Sequence, residues 1–75
     1  MTTNDSVNDF RVEGEVIRLG QFLKLAGLLD SGANAKEAIV NGDVYVNGAV
    51  ERRRGCQLKE GDLVTFQKRS VRVRY

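Results

Sequence analysis

Three consecutive arginines, Arg52, Arg53 and Arg54, close the segment VYVNGAVERRRG, Val44 to Gly55, after an alternating apolar run and an Asn-Gly pair. Adjacent like charges repel, so on a small domain the run needs either solvent or an anionic partner. Arginine suits an anionic partner well: its planar guanidinium offers paired donors to phosphate oxygens and stacks on exposed bases. The run is therefore a candidate nucleic-acid contact, against the plainer alternative of a solvated loop. Glu51 is the one carboxylate directly beside it. Other chemistry is poorly supplied. With no histidine and a single cysteine, Cys56, the chain has no histidine general base, no zinc ligand set and no internal disulfide. No glycine-rich phosphate loop and no catalytic spacing of carboxylates is apparent. Cys56 reads as a small hydrophobe, with activation of its thiol by the neighbouring arginines as the alternative. The expectation is a non-enzyme without cofactor, metal or small-molecule substrate.

The elements that would position the arginines must come from 75 residues, of which 41% are hydrophobic and 29% charged. That balance belongs to a folded domain rather than a disordered tail, and the length allows one domain over 1–75 with a thin core and no enclosed cavity. There is no stretch of about 18 apolar residues and no basic-then-apolar start. Neither a membrane span nor a signal peptide is expected, and the expected location is cytoplasmic, which a lone cysteine fits. The net charge of +2 conceals a division. Met1 to Asp43 carries −3 and Val44 to Tyr75 carries +5. Such asymmetry points one region at a polyanion, without distinguishing RNA from DNA or from an acidic protein.

After a loose terminus over 1–7, Phe10 and Val12 alternate with charged residues as a short strand. Leu19, Phe22, Leu23 and Ala26 then recur on one helical face, and this helix ends near Gly27. A second helix begins at an Asp30 or Ser31 cap, carries Ala35, Ala38 and Ile39 on its stripe, and is closed by Asn41-Gly42. The short connection makes the pair a compact helical corner. Val44 and Val46 form a strand, Asn47-Gly48 a tight hairpin turn, and Ala49 and Val50 the return. Lys59 to Asp62 is a further turn, Leu63 to Phe66 a strand, and Val71, Val73 and Tyr75 the buried side of a last one. Leu23, Ile39 and Val46 are expected to meet between helices and sheet, with Phe10, Phe22 and Phe66 in the core.

The order helix, corner, helix, then Gly-x-Val-x-Val-Asn-Gly and a later Gly-Asp turn resembles the S-four type RNA-binding domain, the alpha-L motif named after small-subunit ribosomal protein four. The resemblance covers IRLGQFLKLAGLLDSGANAKEAIVNGDVYVNGAVERRRGCQLKEGDLV, Ile17 to Val64. It is carried jointly by Leu19, Leu23, Gly27, Ser31, Ala35, Ile39, Gly42, Val44, Val46, Asn47, Gly48, Gly61 and Asp62, and is greatest to small stand-alone bacterial members. It implies an α+β domain in which two short packed helices lie against a small, mainly antiparallel β-sheet. It also implies that helices and hairpin grip structured RNA. Two positions depart from the family pattern: Gly20 stands where many members carry an aspartate, and Gly32 where many carry an arginine. Lys36 falls on the family's basic position one turn into the second helix. Lys24 lies on the first helix away from its apolar stripe.

The expected RNA-binding residues are thus Lys24, Lys36, Arg52, Arg53 and Arg54. The expected function is non-catalytic binding of structured RNA, of the rRNA or tRNA class, with ribosome association. Phosphate contacts would supply most of the affinity and shape most of the choice. Arg72 and Arg74 alternate with a buried face and are adequately explained by solvent exposure, while Tyr45 is read as a partly buried strand residue rather than a stacking platform. The competing function is a protein-interaction module that docks its basic face on an acidic partner in a larger assembly. DNA binding is a lesser alternative.

Overall fold

A computed structural model describes residues 7–75. The expected loose terminus falls outside the described residues except for Val7, with which β1 (Val7–Arg11) begins. There follow α1 (Leu19–Leu25), α2 (Gly32–Val40), β2 (Val44–Val46), β3 (Ala49–Val50), β4 (Leu63–Phe66) and β5 (Arg69–Arg74). The strands form one sheet in the order β1-β5-β4-β2-β3. Only the edge pair β1 and β5 runs parallel; every other pair is antiparallel.

Local chemistry accounts for the boundaries. Ser31 Oγ accepts from the Asn34 amide at 3.2 Å and caps α2, satisfying one donor that the first helical turn leaves without a partner. At the other end Gly42 takes φ +82°, a left-handed conformation that ends helices and that glycine adopts without steric cost. Asn47 and Gly48 both have positive φ, 55° and 86°, as a two-residue hairpin turn requires. Asn47 does more than turn the chain. Its Oδ1 accepts from the Leu63 amide at 3.0 Å and its Nδ2 donates to Asp62 Oδ1, so the hairpin tip is fastened to the entry of β4.

The helices cover one face of the sheet. Leu19, Phe22, Leu23, Ile39, Val44, Val64 and Val73 are fully buried there, and the Phe10 and Phe22 rings meet edge to face at 5.8 Å. Two expectations shift by one step. Val46 is only half-buried and Val44 takes the central place, because Val46 pairs with Ala49 of the short exposed strand β3 and so lies at the rim. Phe10, on the edge strand β1, is half-buried for the same reason.

Tyr75 fastens the last strand to the entrance of α1. Its hydroxyl accepts from the Ile17 amide at 3.1 Å and donates to the Leu58 carbonyl at 2.7 Å. Those two residues are themselves joined, since the Leu58 amide donates to the Ile17 carbonyl at 3.0 Å. Tyr75→Phe keeps the ring and removes both bonds, leaving a part-buried amide without its acceptor. The expected loss is about 1–2 kcal/mol, read as a fall of roughly 5 to 15 °C in a thermal unfolding midpoint. An unchanged midpoint would show that the hydroxyl contributes nothing to the join.

Candidate nucleic-acid interface

The arginine run does not sit at the hairpin tip. It lies in the segment that leaves β3 and returns across the start of α1. Glu51 still belongs to the hairpin, its amide donating to the Val44 carbonyl at 3.0 Å. Beyond the turn, the amides of Gly20 and Leu19 donate to the carbonyls of Arg54, at 3.1 Å, and Cys56, at 2.8 Å. With the Arg18–Gln57 bridge, this makes 54–58 a short antiparallel partner of 17–20. The pairing satisfies helix-entry amides that have no acceptor within the helix, and it places the run against the corner.

The three arginines go three ways. Arg52 lies against the end of α2, where a β-carbon on Gly42 would stand 2.7 Å from its Nη2. The carbonyl end of a helix carries partial negative charge and favours a cation there. Arg53 turns back to Glu51: the carboxylate accepts from the Arg53 amide at 3.1 Å, from Nε at 2.9 Å and from Nη2 at 3.3 Å. The hydrogen bond from Arg53 holds the Glu51 carboxyl below its usual range, and the arginine is raised in turn. Arg54 lays its stem over α1, where a β-carbon on Gly20 would stand 2.7 Å from its Cγ. Glycine at position 20 is thus what admits Arg54. Burial, and then the Glu51 charge, push the Cys56 thiol up despite Arg53, which is unfavourable to an activated thiolate.

Arg54 and Lys24 are brought together. Both border an open depression of about 410 Å³ at the corner, with Arg18 and with Gly20 and Gly32, the two positions that depart from the family pattern. Lys36 is elsewhere on α2, beside a different depression with Asn34, Glu37 and Val40. All five expected residues are exposed. Among the described residues, Lys24, Lys36, Arg52 and Arg54 make no ion pair, whereas Arg53 does. The basic residues of β5 are committed to structure. Arg69 donates to the Gly27 and Leu28 carbonyls, Arg72 to the Gly61 carbonyl, and Arg74 to Asp9 and Glu60.

Arg18 is the member that the sequence reading missed. It directly precedes α1 and its Nη1 donates to the Gly55 carbonyl at 3.0 Å, so it faces the docked segment. Its place off the apolar stripe was the available signal; the pairing with residues 55–57 had none.

A corner of two short helices on one face of a small, mostly antiparallel sheet is the architecture of an alpha-L domain. The chain belongs to the S4 domain family, whose model matches residues 10–74. It is 47% identical over 57 residues to YbcJ of Escherichia coli (strain K12), covering 76% of this chain and 81% of that one. It is 42% identical over 60 residues to the Bacillus subtilis (strain 168) "Probable ribosome maturation protein RlbA", covering 80% and 84% respectively. The solution structure of E. coli YbcJ, described as revealing an alpha-L motif involved in RNA binding, superposes with a TM-score of 0.64 at 40% identity, over 97% of this chain and 91% of that one. Among the described residues no helix is long and apolar enough to cross a membrane.

Proposed function

We propose that this chain is a single domain that binds structured RNA without catalysing a reaction, through the face built from the helical corner and the segment docked on it. The observation that carries the proposal is the convergence of Lys24, Arg54 and Arg18 around one open depression that Gly20 and Gly32 also line. Two cations of the α1 segment and one from the segment docked on it border the depression, and Gly32, where a β-carbon would meet nothing within 4 Å, leaves room for a phosphate backbone to come close. Arg52 and Lys36 extend the basic surface along α2. An open depression of this kind suits a folded strand whose phosphates present a shape, rather than a small molecule that must be enclosed. The descriptions of YbcJ as carrying a motif involved in RNA binding and of RlbA as a ribosome maturation protein support this reading. The proposed target class is ribosomal or transfer RNA, with ribosome association, in the cytoplasm; of these, the RlbA description bears on the ribosome alone.

The test is to crosslink the tagged protein in cells, recover the RNA bound to it and sequence it. Enrichment of defined, folded segments of rRNA or tRNA is expected, together with salt-sensitive binding of the purified protein to those segments. Absence of enriched RNA, with equal binding to a polyglutamate peptide, would instead identify the basic face as a dock for an acidic protein.

A further inference from the structure

This inference deepens the RNA-binding reading and rests on it. We infer that Glu51 is a positioning residue for RNA binding: by holding Arg53 it splits the arginine run, so that Arg52 and Arg54 are set over the ends of the two helices.

The geometry of the pair is specific. Glu51 is the last hairpin residue, and its side chain is 17% exposed while that of Arg53 is 79% exposed. The carboxylate takes both the backbone amide and the guanidinium of Arg53. It thereby fixes the chain direction two residues on as well as the side chain. The next backbone bond, from the Cys56 amide to the Arg53 carbonyl at 3.1 Å, closes the turn that leads into the pairing with 17–20. With position 53 turned back along the chain to Glu51, positions 52 and 54 face the helices on either side. Arg52 meets Gly42 at the end of α2 and Arg54 meets Gly20 at the start of α1. Without that hold, three adjacent like charges would separate by moving the segment off the corner. A negative residue thus serves a positively charged surface, and Arg53 acts as a strut whose charge is already compensated.

This assignment gives an effect opposite in sign to that of bulk charge. Glu51→Gln keeps the side-chain size and makes the protein more positive by one, so attraction to a polyanion by charge alone strengthens binding. Positioning weakens it. The matched control is Glu60→Gln, because Glu60 likewise accepts from one arginine, Arg74, and one backbone amide, that of Tyr75, but away from the corner. Binding to purified bulk tRNA and to ribosomal RNA would be titrated over a range of salt, after thermal melts of each variant, with Arg53→Gln as a second variant. Expected are at least threefold weaker binding for Glu51→Gln and equal or tighter binding for Glu60→Gln. Arg53→Gln, which leaves the Glu51 bond to the backbone amide of residue 53 in place, should keep the salt slope of the parent, while Arg54→Gln lowers it by about 0.7 to 0.9. Amide exchange at Arg53 should accelerate in Glu51→Gln while the Glu51 amide, bonded to Val44, keeps its protection. Binding by Glu51→Gln as tight as the parent overturns the inference, and so does an Arg53→Gln slope that falls as far as that of Arg54→Gln. A parent protein that binds neither RNA removes the function beneath it; a change in Arg53 exchange alone then marks Glu51 as a purely structural anchor, which also overturns the inference.

Discussion

Leu23→Ala is expected to destabilise the domain by about 2 to 5 kcal/mol, and Leu25→Ala, two residues further along the same helix, by much less. Leu23 has no exposed surface, whereas Leu25 is 59% exposed. Truncating Leu23 removes apolar contact from the centre of the core and leaves a cavity that the neighbours fill only in part. The core cluster that holds Leu23 draws on different elements: Ile39 on α2, Val44 on β2 and Val64 on β4 are equally buried. A domain of this size has a total stability of roughly 4 to 11 kcal/mol, so the loss is a large share of the whole. The backbone role of Leu23 survives the change, since its carbonyl accepts from the Leu28 and Leu29 amides, at 3.0 and 3.2 Å, whatever the side chain. The measurement is a pair of urea or thermal unfolding curves followed by circular dichroism. Equal midpoints for the two variants would mean that α1 does not present this face to the sheet.

The same helix shows how far the sequence could be read. Its period of apolar residues was sufficient to orient it, because burial of a face leaves a repeating trace along a continuous segment. Turns were legible where they depended on residues with a distinctive conformational preference, as at Asn47-Gly48 and Gly42. The β4–β5 turn was less visible: Gln67 takes φ 59°, a conformation for which glutamine gives no compositional signal. Basic residues could be named as candidates, yet their sorting could not be foreseen. Arg52, Arg53 and Arg54 are chemically identical, and each is assigned by a neighbour distant in sequence or by a turn: Gly42, Glu51 and Gly20. The antiparallel pairing of 17–20 with 54–58 spans some forty residues of chain and involves too few positions to leave a pattern. It is the pairing that brings Arg54 to Arg18 and Lys24, and it gives Gly20 its meaning, since a side chain there would meet the stem of Arg54.

Replacing Lys24 and Arg54 together by glutamine is expected to weaken RNA binding at least tenfold, which is about 1.4 kcal/mol or more. Both side chains are exposed and border the same depression, and neither makes an ion pair among the described residues, so the fold should be retained. If each meets one phosphate, the slope of log affinity against log salt should fall by roughly 1.4 to 1.8, from 0.7 to 0.9 per contact. The control removes the same amount of charge: Arg72→Gln with Arg74→Gln. Arg72 is engaged with the Gly61 carbonyl, and Arg74 with Asp9 and Glu60. The Arg74 pairs are surface ion pairs that contribute little to stability, and Arg72 gives up a single part-buried hydrogen bond, so the control protein should fold with a modest loss of stability, and its affinity and salt slope should remain close to those of the parent. Adding Arg52→Gln and Lys36→Gln to the first pair should weaken binding further if the surface continues along α2. The comparison separates a built surface from net charge, because the two double variants carry the same charge in different places. Equal losses of affinity and slope in both would leave net positive charge as the sole determinant, and the corner would lose its claim to be the binding face.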